Sequence, residues 1–202
     1  MTIARLSTPM LTDRLILRRW QASDGAPFAS MNADPRVMQF FPRPLDRQTS
    51  DDLISRFQAH DEAHGFTLWA LEERETGAFA GFTGLLHFDF AAPFSPGVEI
   101  GWRLPVAFWG RGLASEAARA SLAFGLNVLK IAEIVAFAAA SNARSRRVME
   151  RIGMSRDASD DFHHPKMPRE HPLQPCVLYR IRPADLTKRP PNTTSGRNSS
   201  HE

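Results

Sequence analysis

The sequence predicts an α/β fold, a mixed β-sheet of about six or seven strands with helices on both faces. Three observations carry that expectation. A strand, a glycine turn, a long helix and a second strand read as a β-α-β unit over residues 98–140. Two apolar strands over residues 67–88, joined by Glu75-Thr76-Gly77, read as a β-hairpin. The 202 residues, with 43% hydrophobic content, suffice for one well-buried domain, whereas two would be cramped. The domain is expected over residues 1–183. A disordered tail is expected over 184–202, where Pro, Asn, Thr, Ser and Arg replace any apolar period.

Residues 11–20 read as a first strand, Leu15 and Leu17 alternating with Arg14, Ile16 and Arg18. Gln21-Ala22-Ser23-Asp24 starts a short helix that reaches Ala33 and is stopped by Pro35. Thr49-Ser50-Asp51-Asp52 offers a capping box for a second helix, with Leu53, Ile54 and Phe57 on one face and an end near Gly65. The hairpin follows, and Gly81 and Gly84 in its second strand indicate a bulge or a close neighbour. A loop with Phe90, Pro93, Phe94 and Pro96 leads into Val98-Glu99-Ile100-Gly101-Trp102-Arg103-Leu104. Strand alternation there puts Val98, Ile100, Trp102 and Leu104 on one face, Glu99 and Arg103 on the other. A helix over 113–129 carries Leu113, Ala117, Ala120, Phe124 and Val128 at helical spacing, and residues 132–140 form a buried strand. That order implies a right-handed crossover and a parallel pair. Ser141-Asn142 caps a fourth helix with Ser145, Val148, Met149 and Ile152 on one face, and Gly153 ends it. A His- and Pro-rich loop spans 162–175, and 177–181 is a last strand.

The bulk properties narrow the function. A formal charge of +3 is small for this length and gives nucleic-acid binding no support. The single cysteine, Cys176, excludes an intrachain disulfide, and the first residues contain no apolar leader segment, which together suggest a cytoplasmic setting. No apolar run approaches membrane-spanning length. His163, His164 and His171 have no Cys or carboxylate partners at ligand spacing, so no metal is expected.

The chemistry concentrates at Gly110-Arg111-Gly112-Leu113-Ala114-Ser115, between a strand and a helix. Glycines let the backbone approach a ligand, and the first helical N–H groups are unpaired at the positive end of the dipole, so a phosphate or pyrophosphate is the natural occupant. The plain alternative is a tight turn without a ligand. A dinucleotide fingerprint would need glycine where Ser115 stands and an acid ending the next strand, which instead closes on Ala138-Ala139-Ala140.

Three segments carry a family likeness: Glu99-Ile100-Gly101-Trp102; the run from Phe108-Trp109-Gly110 to Ser115-Glu116-Ala117; and Asn142-Ala143-Arg144-Ser145 leading to Glu150-Arg151-Ile152-Gly153-Met154. In this order they resemble the GNAT superfamily of acetyl-CoA-dependent N-acetyltransferases, within it the branch of ribosomal-protein N-terminal alanine acetyltransferases (RimJ/RimL-like). The opening Leu11-Thr12-Asp13-Arg14-Leu15 and the closing Val177-Leu178-Tyr179-Arg180 extend the likeness over nearly everything before the tail.

The resemblance implies a centrally splayed sheet with acetyl-CoA in the cleft. Trp109, Gly110, Arg111, Gly112, Leu113, Ala114 and Ser115 would hold its pyrophosphate, and Arg111 would reach a phosphate oxygen. Main-chain groups at Trp102, Arg103 and Leu104 would hold the pantetheine arm and the thioester carbonyl. Asn142 would contact the pantetheine, unless it is a plain helix cap. Acetyl transfer to an amine needs a proton acceptor, and Glu99 is the candidate, set against an ordinary pairing with Arg103. Ser145 is the candidate proton source for the departing thiolate, set against a small residue touching the sheet. The sequence departs from the family at Ala107, where Gln or Arg is frequent, and at Met149, where many members carry the tyrosine that protonates the thiolate. Methionine has no proton to give. A fold that binds acyl-CoA as a sensor without turnover is therefore the competing reading. Tyr179 is expected in the core or at an edge, and Arg144, Arg146, Arg147 and Arg151 on a solvated face or near a CoA phosphate. Phe40, Phe41, Phe90 and Phe94 would wall the acceptor site or plug the core. The acceptor is left open among a protein N-terminus, an antibiotic, a polyamine or an amino acid, as is the choice between monomer and homodimer.

Overall fold

The computed structural model describes residues 9–168 and 170–186. In chain order its elements are β1 (Met10–Leu11), β2 (Leu15–Arg18), α1 (Gly25–Ala33), α2 (Arg47–His64), β3 (Leu68–Glu73), β4 (Phe79–Phe88), β5 (Gly97–Arg103), α3 (Leu113–Ala123), β6 (Ile134–Ala139), α4 (Ala143–Arg151), β7 (Phe162–His163), β8 (Pro175–Ile181) and α5 (Pro183–Leu186). The strands form one eight-stranded sheet in the order β1-β2-β3-β4-β5-β6-β8-β7, antiparallel except between β5 and β6.

Eight strands exceed the expected six or seven because two short ones escape a pattern search. The apolar run 11–20 breaks into β1 and β2: the Thr12 hydroxyl accepts the Leu15 N–H at 3.0 Å and folds the chain into a tight turn. The other, β7, lies inside what reads as a loop, and its Phe162 pairs with Cys176 of β8. The long helix also differs from expectation. Regular α3 stops at Ala123 and a π-helical turn runs over Phe124–Val128. A side chain on Gly125 would meet Leu85 and Ile134 at 2.6 and 2.7 Å, so the widened turn brings bare backbone down onto the sheet. Residues 184–186, expected to be unstructured, belong to the helical turn α5, and the rest of the expected tail lies outside the described residues.

Each face of the sheet has its own apolar layer. Leu85, Ile100, Ile134 and Ala136 meet Leu113, Ala117, Leu122, Met149 and Ile152 of the α3/α4 layer. On the other face Leu68, Ala70 and Phe82 meet Trp20, Phe28 and Phe57 of the α1/α2 layer. Trp20 donates its indole N–H to the Leu68 carbonyl at 2.7 Å, so its polar edge is satisfied within that layer. Both glycines of β4 mark close approaches: a Cβ on Gly81 would lie 2.2 Å from the Arg103 carbonyl, and one on Gly84 2.0 Å from that of Thr67.

The parallel pair positions the site. β5 runs in register with β4 from Gly97 opposite Phe88 to Arg103 opposite Phe82, yet it meets β6 at a single register position, Glu99 opposite Val135. Beyond Glu99 the two central strands part. The splay implied by the resemblance is thus a feature of the fold, and β5 ends in it.

Candidate functional site

After β5 the chain makes one short turn over Val106–Phe108 and enters the glycine stretch. Gly110 and Gly112 adopt left-handed backbone, φ +74° and +78°, and Gly112 caps α3. Within the described residues, none of the main-chain N–H groups from Gly110 to Ser115 has an acceptor in the chain. Consecutive unpaired amides around left-handed residues at a helix N-terminus form a concave nest for an anion. A fixed scaffold holds it open. Arg14 donates to the Arg111 carbonyl at 2.8 Å and to Glu116 in the first turn of α3 at 2.7 Å, and the Thr12 hydroxyl donates to the same carboxylate at 2.6 Å. Partial burial alone would push the Glu116 carboxyl up; the Thr12 and Arg14 hydrogen bonds outweigh it and hold it below its usual range.

The side chain of Arg111 is engaged within the chain. Its guanidinium pairs with Glu73 at the end of β3 and lies over the Phe108 ring, the guanidinium carbon 5.5 Å from the centroid. A second cation at the turn is Arg144 on α4, with its guanidinium carbon 4.3 Å from the Trp109 ring centroid. Trp109 in turn donates its indole N–H to the Leu104 carbonyl at 2.8 Å. That bond occupies the Leu104 oxygen, while the β6-facing main-chain edge of β5 past Glu99 has no strand partner.

Asn142 is the N-cap of α4, its side-chain oxygen accepting the Ser145 N–H at 3.1 Å. The side chain thus caps the helix through its oxygen, and the cap presents Ser145 at the first turn of α4, where its hydroxyl has no partner among the described residues. Met149 is 1% exposed within the α3/α4 layer. Tyr179 is buried on β8 and donates its hydroxyl proton to Glu150 at 3.0 Å, as expected of a core residue.

Glu99 and Arg103 share a strand face without pairing. Arg103 donates to the Asn32 side-chain oxygen at 2.7 Å and lies against the Phe41 ring, 4.0 Å from its centroid, and burial lowers its pKa to about 10. Phe41 thereby covers the Arg103 guanidinium. Glu99 has neither a hydrogen-bond nor an ion-pair partner among the described residues. Burial pushes its carboxyl up to about 7, against the opposing pull of the Lys166 ammonium. A carboxylate poised near neutrality at the one point where the parallel strands touch is suited to accept a proton.

The histidines of the 162–175 segment serve the loop. His164 and His171 accept the N–H groups of Lys166 and Leu173 through Nδ1, each at 3.2 Å. No group of three or more His, Cys, Asp and Glu suited to a metal ion occurs among the described residues. No helix among them is long and apolar enough to cross a membrane.

Comparisons with known proteins agree with this geometry. The family model described as an acetyltransferase (GNAT) domain matches residues 14–155. An uncharacterised Bacillus subtilis (strain 168) protein, YkkB, is 32% identical over 148 residues, which is 73% of this chain and 85% of that protein. The crystal structure of the acetyltransferase from Agrobacterium tumefaciens str. C58 superimposes with a TM-score of 0.70 at 28% identity, covering 87% of this chain and 94% of that one. A spermidine N-acetyltransferase from Vibrio cholerae, solved with CoA and spermine, shares the fold at 15% identity, with a TM-score of 0.68 over 87% of this chain and 99% of that one. A splayed parallel pair, an amide nest at the head of the following helix and a family match across both show that the chain belongs to the GNAT acetyltransferase family.

Proposed function

We propose that this enzyme moves the acetyl group of acetyl-CoA directly to a primary amine, with Glu99 as the base, and that it belongs to the ribosomal-protein alanine acetyltransferase branch its motifs resemble. The observation that carries this reading is the line from Glu99 along β5 to the nest, which sets a proton acceptor, an unpaired strand edge and an anion cradle in sequence. The nest suits a pyrophosphate in charge and in donor number. The acetyl thioester supplies an activated acyl carbon. Amides at Trp102, Arg103 and Leu104 steady the carbonyl oxygen as it gains charge. Glu99 takes the proton of the ammonium, through water, so that a neutral amine attacks. Ser145, whose hydroxyl is unengaged, returns a proton to the departing sulfur, a task closed to Met149 in the core. The single cysteine suits a cytoplasmic setting.

Thermal unfolding with acetyl-CoA, CoA and NAD in parallel tests the reading. A ligand at a hundredfold its dissociation constant stabilises by about 2.7 kcal/mol, so a clear shift with both CoA forms and none with NAD is expected. No shift with acetyl-CoA removes the proposal.

A further inference from the structure

We propose that the amine accepted at Glu99 is a small monoamine with an aryl or branched-alkyl body, and that Phe90, Phe94, Phe137, Phe162 and His164 form the wall on which that body rests. The proposal deepens the acetyl-transfer reading and rests on it.

The sheet order creates the wall. Helices α1 and α2 cover the face of the sheet around Leu68, Ala70 and Phe82. Over β6, β8 and β7 the same face is covered by rings from the 89–96 loop, from β6 and β7, and from the loop after β7. Glu99 stands opposite Leu86 on β4 and Val135 on β6; two residues along each of those strands come Phe88 and Phe137, with ring centroids 6.0 Å apart. Phe90 lies 5.7 Å from Phe137, Phe94 4.8 Å from Phe162, and His164 stacks on Phe90 at 5.2 Å. Phe88, Val135 and Leu178 beneath are buried, whereas the five wall rings are only partly so. Clustered rings that keep part of their faces exposed beside a desolvated carboxylate have apolar area left to cover.

Charge selects among amines. Two acids flanking the wall are already neutralised: Asp160 pairs with Arg180 and Asp161 with Arg156. A third, Asp89, is exposed to solvent, where its attraction is screened, and the Lys166 ammonium acts on Glu99 itself. One ammonium finds Glu99 and the ring faces; a second would meet Lys166 and only the solvent-screened carboxylate of Asp89.

Calorimetric titration of the full chain saturated with CoA tests this with four probes: 2-phenylethylamine, 3-methylbutylamine, 1,4-diaminobutane and spermidine. The first two are expected to bind at least about tenfold more tightly than the last two. Phe162→Leu, which keeps apolar volume and removes a ring, and Phe94→Ala are each expected to weaken 2-phenylethylamine about fivefold, with the acetyl-CoA thermal shift intact as evidence of folding. Equal or tighter diamine binding, or unchanged 2-phenylethylamine affinity in both folded variants, overturns the wall. Acetyl transfer to 1,4-diaminobutane without 2-phenylethylamine binding would do so while leaving the transfer reading standing; tight 2-phenylethylamine binding without transfer from acetyl-CoA to any amine would overturn the transfer reading instead.

Discussion

Replacing Glu99 by Gln removes the proton acceptor while keeping its shape, and the pH dependence then separates a base from a bystander. An alkyl ammonium with a pKa near 10.4 leaves about one molecule in a thousand neutral at pH 7.4. With Glu99 in place and its carboxyl at about 7, kcat/KM rises tenfold per pH unit below that value and levels above it, because the enzyme takes the proton itself. In Glu99→Gln the amine must arrive neutral, so kcat/KM falls by up to about a thousandfold near pH 7.4 and climbs steadily with pH towards the wild-type value. Stability should move the other way. The folded carboxyl is raised from 4.5 to about 7, so the native state holds an extra proton between those values, and stability falls as pH rises through the window. That loss amounts to about 3 kcal/mol above pH 7, and Glu99→Gln, which mimics the protonated form, escapes it. For a chain of this size the variant should melt about 6–12 °C higher than wild type at pH 8.5 and at a similar temperature at pH 4. Parallel kcat/KM profiles for the two proteins, or a melting difference that does not change with pH, would refute the assignment.

Three further substitutions test other parts of the cleft. Gly110→Ala meets no neighbour within 4 Å but forces a side chain onto a φ of +74°, so a stability loss of about 1 kcal/mol and a weakened acetyl-CoA thermal shift are expected. Ser145→Ala should lower kcat while the pH at which kcat/KM levels stays in place, since Glu99 is untouched; full activity in steady-state assays would remove Ser145 as proton donor. Arg103→Met strands the Asn32 side-chain oxygen on a residue that is 0% exposed, and chemical denaturation should show a loss of about 1–3 kcal/mol.

Local chemistry made the strand of Glu99, the glycine turn and the Asn142 cap readable in advance, because each is written in adjacent residues. What escaped was decided at a distance. The 11–20 run has the alternation of one strand, and only the Thr12 turn, tied to Glu116 on α3, cuts it. Arg111 sits between two glycines, and nothing near it in sequence announces its partner Glu73, 38 residues away. The π turn is settled by Leu85 and Ile134, which lie outside the helix whose period it interrupts. The aromatic wall draws on segments around Phe90, Phe137 and Phe162, which meet only because β8 lies between β6 and β7. Met149 was legible as a departure from the family, while its seat in the core follows from the packing of α4 on α3 and β6.

The single contact between β5 and β6 also has a mechanical meaning. Five strands stand on one side of it and three on the other, joined in the sheet at one rung and bridged behind by α3. Anything that lies along the unpaired edge of β5 replaces the missing rungs. Occupancy of the cleft therefore acts as a splice between two half-sheets: amides on the two strands that flank the gap should gain protection from hydrogen exchange together, and resistance to unfolding should spread from the gap into both halves at once.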